Sequence, residues 1–292
     1  MAPRRSLRAV LLVLLCACEP STDPAPEPRG SPAPPSEAAG VEEETRAAQD
    51  GLTLSIRRVA QDGWRGRLVV ASLAPEVARA ARVVPSDAPR PLRRIVAERA
   101  PPQPFAAIDG GFYDPHGDPM GLVRTGGVDR HPLTDGGGSG IFVLGDDGPR
   151  IVHRDAYDAR GVREALQSID RLVVDGRSVV GEGASDRRAA RSAVALDADG
   201  ALHLAVAFDD EAVVDEGPAH VALGVASGRT GPTLAQWAAL LARDAEDGGV
   251  GAADALGLDG GFSTSMVVKS AARSLRVEAH RATIGAIVVS AR

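Results

Sequence analysis

Two short segments of the sequence share a layout that could build a reactive site. Residues 108–114 and 258–265 each place an aspartate, Asp109 or Asp259, between an apolar run and a pair of glycines. A strand that ends in an aspartate holds the carboxylate at the rim of a sheet, and the glycines let the backbone approach a ligand without a Cβ atom in the way. A single Asp-Gly-Gly is more often a tight turn that the aspartate caps. Two matching copies favour a shared site.

Other acidic positions carry less weight. Residues 135–139 repeat the Asp-Gly-Gly pattern without a preceding apolar run, which predicts a flexible loop. Asp114, His116 and Asp118 could offer ligands to a divalent cation, but the proline and glycine between them equally describe a solvated turn. We favour the turn, and we expect no cofactor, with a divalent cation as the open alternative.

Further motifs follow in order along the chain. They are Ile108-Asp109-Gly110-Gly111-Phe112-Tyr113-Asp114-Pro115 with Gly121-Leu122-Val123, then Leu166-Gln167-Ser168, Arg191-Ser192-Ala193-Val194-Ala195, Thr233-Leu234-Ala235, and Leu258-Asp259-Gly260-Gly261-Phe262-Ser263-Thr264. Together they resemble the phosphodiester glycosidase family from about residue 105 to residue 289. The resemblance implies hydrolysis of a sugar-1-phosphodiester, which releases the sugar from a phosphomonoester.

This chemistry makes physical demands that particular residues could meet. A phosphodiester carries a permanent negative charge, and the planar guanidinium of Arg191 could hold two of its oxygens. Cleavage of a glycosidic bond generally uses carboxyl groups, for which Asp259 is the first candidate and Asp114 the second. Ser263 completes the catalytic candidates as a hydrogen-bond donor. The expected substrate-binding residues are Asp109, Gly110, Gly111, Phe112, Gly260, Gly261, Thr264 and Arg281.

Two residues depart from the family pattern, which usually has asparagine at the position of Asp109 and glycine at that of Phe262. The aspartate would repel a phosphodiester unless it is protonated, paired or metal-bound. Phe262 fills space that a ligand or a backbone turn could need. These departures support two other hypotheses. One is a noncatalytic lipoprotein of the same fold that binds glycan or a phosphate-bearing polymer, and the other is a metal-dependent phosphodiesterase that uses Asp109, Asp114, His116 and Asp259.

Short strands are the main elements that must position these residues. Helices are predicted at about residues 92–96 and 160–168, and a third begins at Thr233, where Gln236 completes a capping box. The pattern predicts a single-domain α+β fold with a mostly antiparallel mixed sheet and a few packed helices. Strands are predicted near residues 52–56, 68–73, 105–108, 140–144, 172–174, 192–196, 202–208, 255–258, 265–268 and 283–289.

Composition limits the classes of partner. The 292 residues are 44% hydrophobic, enough for a proper core, and carry a formal net charge of -6 with interspersed acids and bases. No strongly basic face is predicted, so we expect no nucleic-acid partner. Aromatic residues make up 3% of the chain, which disfavours a long stacking platform for polysaccharide. We expect a small sugar phosphodiester or glycan as the ligand.

The first 18 residues resemble a bacterial lipoprotein signal. Arginines precede a short apolar run, and Leu15-Cys16-Ala17-Cys18 resembles a lipobox, which makes Cys18 the predicted lipidation site. Residues 19–50 are rich in proline and are predicted to be a disordered linker, followed by the folded domain at 51–292. We therefore expect an exported protein of the bacterial cell envelope, in the periplasm or at the cell surface, that contacts the membrane through its lipid anchor alone.

Overall fold

The computed structural model describes residues 42–99, 101–181, 184–210, 213–217, 219–225, 227–271, 273–278 and 280–291. The predicted signal at residues 1–18, its lipidation site Cys18, and the linker up to residue 41 lie outside these ranges. Residues 42–49 belong to the range predicted as linker, but they form a strand that pairs with its neighbour. The folded part therefore starts before the predicted boundary at residue 51.

The described residues form a β-rich fold of three sheets, so the prediction of an α+β fold with a mostly antiparallel mixed sheet and a few packed helices is wrong. The strands are β1 (Glu42–Gln49), β2 (Leu52–Gln61), β3 (Trp64–Leu73), β4 (Ala81–Arg90), β5 (Phe105–Asp109), β6 (Val123–Thr125), β7 (Val128–His131), β8 (Gly140–Gly145), β9 (Gly148–His153), β10 (Val162–Ser168), β11 (Arg171–Val174), β12 (Arg177–Ser178), β13 (Arg191–Leu196), β14 (Leu202–Asp209), β15 (Val213–Gly217), β16 (His220–Gly224), β17 (Asp254–Gly257), β18 (Ser265–Lys269), β19 (Ser274–Glu278) and β20 (Thr283–Ser290). The helices in the same residues are α1 (Pro75–Ala78), α2 (Leu92–Arg99) and α3 (Leu234–Ala242).

The eight-stranded sheet has the order β1-β2-β3-β14-β13-β17-β11-β12, with antiparallel neighbours throughout. Successive side chains of a strand point to opposite faces of its sheet. In β13, Val194 and Leu196 belong to the main core, whereas Ala193 and Ala195 pack in a second core with α3. Both faces of this strand are therefore covered.

The seven-stranded sheet has the order β15-β16-β19-β18-β5-β20-β4, and β16 and β19 form its parallel pair. Ile108 and Met266 from this sheet share the main core with Val194 and Leu204 from the eight-stranded sheet. The two large sheets thus pack face to face. Their shared core places the end of β5 opposite β13.

The smaller sheet has the order β7-β6-β10-β8-β9 and contains one element that the sequence predicted wrongly. Residues 160–168 were predicted to be helical, but residues Val162–Ser168 form the strand β10, paired with β8 and β6. The spacing of Val162, Ala165 and Leu166 suits a helix, but sheet pairing overrides that local preference. Glu164 is buried in this strand and accepts a hydrogen bond from the backbone N–H of Val83 at 3.0 Å.

The other two helix predictions are confirmed. Helix α2 covers the predicted apolar face and ends before the prolines that follow. Helix α3 begins at the predicted capping box, in which the Thr233 side chain accepts from the backbone of Gln236, and the Gln236 side chain accepts from the backbone of Thr233. Its Trp237 is fully buried in the second core. Within the described ranges, none of the helices is long and apolar enough to cross a membrane.

Candidate active site

The two glycine-rich segments meet where the two large sheets come together. The backbone N–H of Asp259 donates to the carbonyl of Gly110 at 3.0 Å, which joins the segments directly. The N–H of Leu258 donates to the carbonyl of Ser192 at 2.9 Å, so β13 supports the same corner. The prediction that the two segments share one site is consistent with this arrangement.

Two glycines allow this close approach. A Cβ atom on Gly260 would lie 2.8 Å from the carbonyl oxygen of Ala190, and one on Gly110 would lie 2.9 Å from the carbonyl carbon of Gly285. Contacts this short involve backbone atoms, which cannot move aside as a flexible side chain can. A side chain at either position would push the segments apart.

Asp109 lies beneath the site and is fully buried. Its Oδ1 atom accepts from the Ser192 hydroxyl at 2.8 Å and from the backbone N–H of Ser265 at 2.9 Å. Its Oδ2 atom has no hydrogen-bond partner among the described residues. Burial raises the pKa of Asp109 well above its usual value, and the nearby charge of Asp259 adds to that rise. The protonated acid is therefore favoured, and the side chain supports the site from below.

Asp259 is the carboxyl group that reaches the surface of the site. Burial raises its pKa to about 6, while a hydrogen bond from Ser263 and the positive charge of Arg281 lower it in part. A carboxyl group that titrates near neutral pH can take or give a proton during a reaction. A perturbed pKa beside a charged partner is also typical of functional sites.

The hydroxyl groups that follow Asp259 are largely inside the protein. Ser263 is 4% exposed, and its one hydroxyl proton can be donated either to the carbonyl of Ala282, at 3.3 Å, or to the Asp259 carboxylate. Thr264 is fully buried. Ser263 can therefore adjust the pKa of Asp259, whereas the Thr264 side chain is not accessible to a substrate.

Arg191 lies on the opposite face of β13 from Ser192. Its guanidinium donates to the carbonyls of Pro232 at 3.2 Å and Arg187 at 2.8 Å. Burial lowers the pKa of Arg191 to about 10, Arg187 lowers it further, and the carboxylate of Asp170 raises it. The guanidinium of Arg191, the predicted phosphate-binding arginine, is thus bound to backbone carbonyls, and its charge is not among those that shift the pKa of Asp259.

Arg281 is the arginine whose charge acts on Asp259. Its guanidinium carbon lies 5.0 Å from the centroid of the Phe262 ring, and it is the arginine that lowers the pKa of Asp259. The backbone N–H of Arg281 donates to the carbonyl of Phe262 at 2.8 Å, which fixes the two residues together. Arg229, which the sequence did not single out, lies 5.8 Å from the same ring.

The carboxylate of Asp114 stabilises the turn in which Asp114 lies. Its Oδ1 atom accepts from the backbone N–H groups of His116 at 2.8 Å and Asp118 at 3.0 Å, and both bonds lower its pKa, the one from Asp118 more strongly. This agrees with the turn that we favoured for these residues. Within the described ranges, no group of three or more His, Cys, Asp or Glu side chains lies close enough to hold a metal ion.

Gln167 lies beside Gly111 of the first segment, and its side chain holds the part of the chain that follows that segment. Its Oε1 atom accepts from the N–H of Leu122 at 2.9 Å and of Thr134 at 3.2 Å, while its amide donates to the carbonyl of Gly138 at 2.8 Å. The cavity beside Gly111, Phe112 and Gln167 measures about 20 Å³. That volume suits a single water molecule and not a sugar.

Comparison with known proteins gives one family match and several similar structures. A family model described as phosphodiester glycosidase matches residues 103–289. The catalytic domain of zebrafish N-acetylglucosamine-1-phosphodiester alpha-N-acetylglucosaminidase, auto-inhibited by its pro-peptide, aligns with a TM-score of 0.55 and 17% identity, covering 88% of this chain and 85% of that chain. A hypothetical protein from Synechocystis aligns with a TM-score of 0.54 and 17% identity, covering 83% of this chain and 62% of that chain, less than two thirds of its length. At this identity the likenesses show the fold alone. The comparison with curated sequences gives no match.

Proposed function

Since the chain belongs to the phosphodiester glycosidase family, a family of hydrolases, we propose that it hydrolyses a sugar-1-phosphodiester at Asp259. The observation that carries this proposal is the carboxyl group of Asp259, which has a pKa of about 6 and lies beside the positive charge of Arg281. The carboxylate can act on the sugar while the arginine attracts the phosphate. One negative and one positive group side by side suit both halves of such a substrate.

The reaction requires one bond to break and one to form. Water attacks the anomeric carbon and gives a proton to the Asp259 carboxylate, while the bond from that carbon to the phosphate oxygen breaks. The electron pair stays on the phosphate oxygen, which leaves as a phosphomonoester. A phosphate is a better leaving group than an alcohol, so it needs less protonation, and a single carboxylate can serve as the base.

The surrounding residues stabilise charge during this step. Arg281 offers a planar guanidinium to the phosphate oxygens as negative charge develops on them. The hydrogen bond from Ser263 favours the ionised form of Asp259, which is the form that accepts the proton. The raised pKa of Asp109 favours its protonated form, which reduces the negative charge that it would place against the phosphodiester.

The test uses the purified protein with a panel of sugar-1-phosphodiesters that differ in the sugar. The released sugar and phosphomonoester are measured for the wild type, for Asp259→Asn and for the exposed control Asp158→Asn. We expect the wild type and the control to turn over at least one substrate, and Asp259→Asn to lose at least about a hundredfold in kcat. Saturable binding without turnover by the wild type would favour the noncatalytic binding protein, and equal rates for Asp259→Asn would remove the role of Asp259.

We further propose that the enzyme works from the cell envelope, attached through a lipid on Cys18. The proposal rests on the charged and apolar pattern of the first 18 residues and on the lipobox at residues 15–18. The expected result is that the wild type sediments with membranes in a bacterial host, and that Cys18→Ser is released into the soluble fraction. Identical membrane association of both proteins would contradict lipid anchoring at this residue.

A further inference from the structure

Two guanidinium groups lie against one aromatic ring at the edge of the site. Arg229 and Arg281 are both exposed, with their guanidinium carbons 5.8 Å and 5.0 Å from the centroid of the Phe262 ring. Contacts between a cation and a ring are weak at exposed positions. Two like charges at one ring also repel each other, so the arrangement gains little from these contacts alone.

Neither guanidinium forms a direct salt bridge within the described part of the chain, although the charge of Arg281 acts on the carboxyl group of Asp259. Other exposed arginines have a carboxylate partner, as Arg93 has in Glu278 at 2.9 Å. For Arg229 and Arg281, the polar contacts found among the described residues are those of their backbone N–H groups, to Ser227 and Phe262. Their positive charges are therefore available to an anion from solution.

The backbone holds Arg229 in this position. The N–H of Arg229 donates to the Ser227 hydroxyl at 3.1 Å, and the Thr230 hydroxyl donates to the Ser227 carbonyl at 3.1 Å, which forms a compact turn. Gly228 is buried against the chain at Phe262, since a Cβ atom there would lie 2.4 Å from the Phe262 nitrogen. The turn is thus docked on the segment that follows Asp259.

We propose that Arg229 and Arg281 form a binding site for a phosphate group on the Phe262 ring. The guanidinium fork matches the oxygens of phosphate, and the guanidinium carbons of both arginines lie close to the same ring, at 5.8 Å and 5.0 Å from its centroid. Arg281 also lies close enough to Asp259 to lower its pKa. Under the proposed function, on which this assignment of the ligand rests, the phosphate is that of the diester, and its sugar extends toward Asp259.

The experiment measures the binding of inorganic phosphate by calorimetry at an ionic strength of about 0.01 M, where screening is weak. The variants are Arg229→Gln, Arg281→Gln and the control Arg160→Gln, an exposed arginine paired with Asp158. We expect Kd to rise about tenfold in each of the first two variants, in line with the loss of one charged contact, and to stay unchanged in the control. Thermal unfolding of each variant checks that the fold is intact.

Two results would overturn the proposal. One is the same phosphate affinity in Arg229→Gln as in the wild type, and the other is no binding by the wild type at up to about 10 mM phosphate. Turnover of sugar phosphodiesters is scored separately. Phosphate binding that depends on Arg229, in a protein that cleaves none of the diesters, would support this site and contradict the proposed function.

Discussion

The side chains of Asp109 and Ser192 connect the two large sheets beneath the candidate site. Asp109 ends β5 in one sheet and Ser192 lies on β13 in the other, and the Ser192 hydroxyl donates to the Asp109 Oδ1 atom at 2.8 Å. Both side chains are buried, so solvent offers no substitute donor. Loss of this bond should therefore lower the stability of the fold and shift the position of Asp259.

The first prediction removes this donor. Ser192→Ala leaves the Asp109 carboxyl group with backbone N–H donors alone, chiefly that of Ser265, and we expect the free energy of unfolding to fall by about 1–3 kcal/mol. Chemical denaturation of the wild type and the variant measures the change. Ser178→Ala, at an exposed position of β12, should stay within about 0.5 kcal/mol of the wild type. A neutral effect at Ser192 would mean that the bond contributes nothing.

The second prediction concerns stability against pH. The folded protein holds Asp109 with a pKa well above that of the unfolded chain, so the folded state binds more protons. This contribution is fully present below the unfolded pKa of about 3.9, and it is lost as the pH rises toward the raised pKa. The charged group that faces Asp109 is Asp259. Its pKa is also raised, so its protonation likewise adds stability to the folded state, and that stability is lost as the pH rises through about 6.

Asp109→Asn removes the contribution that protonation of Asp109 makes to the stability of the folded state. We expect the variant to lose less stability than the wild type as the pH rises above about 3.9, since one titrating group contributes at most about 1.4 kcal/mol per pH unit. Unfolding at a series of pH values measures both slopes. Parallel curves for the two proteins would show that Asp109 does not titrate in this range.

The third prediction concerns activity against pH. If the ionised Asp259 accepts the proton, kcat/KM should fall about tenfold per pH unit below pH 6, the region of its pKa. Arg281 lowers this pKa, so Arg281→Gln should move the acid limb to higher pH. The measurement is kcat/KM across pH 4–8 for both proteins. A rate that falls as the pH rises through 6 would assign Asp259 the role of an acid instead.

Much of the site's arrangement follows from the sequence, because it depends on strand ends. An apolar strand followed by Asp-Gly-Gly predicts where the chain leaves the sheet, and both segments were located on that basis. Successive side chains of a strand also point to opposite faces of the sheet, so the strand pattern predicts a side-chain direction that the motif alone does not. Once Ser192 faces the opposing sheet, its neighbour Arg191 must face the other way, toward α3.

Other features depend on contacts between distant parts of the chain. Residues 162–168 suit a helix by spacing and become a strand because two neighbouring strands pair with them. Arg229 reaches the site through the packing of Gly228 on Phe262, 34 residues further along the chain. Local sequence gives no sign of such a contact. The acidic segment 108–114 likewise gave no sign that Asp109 would be fully buried.

The fourth prediction tests the two arginines against each other. Arg191→Gln should lower stability by about 1–2 kcal/mol, because it removes charged hydrogen bonds to two backbone carbonyls, and should change kcat/KM by less than about threefold. Arg281→Gln should lower kcat/KM by more than about tenfold with little change in stability. Unfolding and steady-state kinetics separate the effects. A folded Arg191→Gln that loses activity as Arg281→Gln does would restore Arg191 as the phosphate ligand.

The fifth prediction concerns the close approach at Gly260. In Gly260→Ala the new Cβ atom would lie 2.8 Å from the carbonyl oxygen of Ala190, a rigid backbone neighbour, so the segment that carries Asp259 must shift. We expect a loss of about 1–3 kcal/mol in stability and a drop in kcat/KM of at least about tenfold in the folded protein. Gly136→Ala is the matched control, since a Cβ atom there meets nothing within 4 Å. Equal activity of the two variants would show that the position of Asp259 tolerates this displacement.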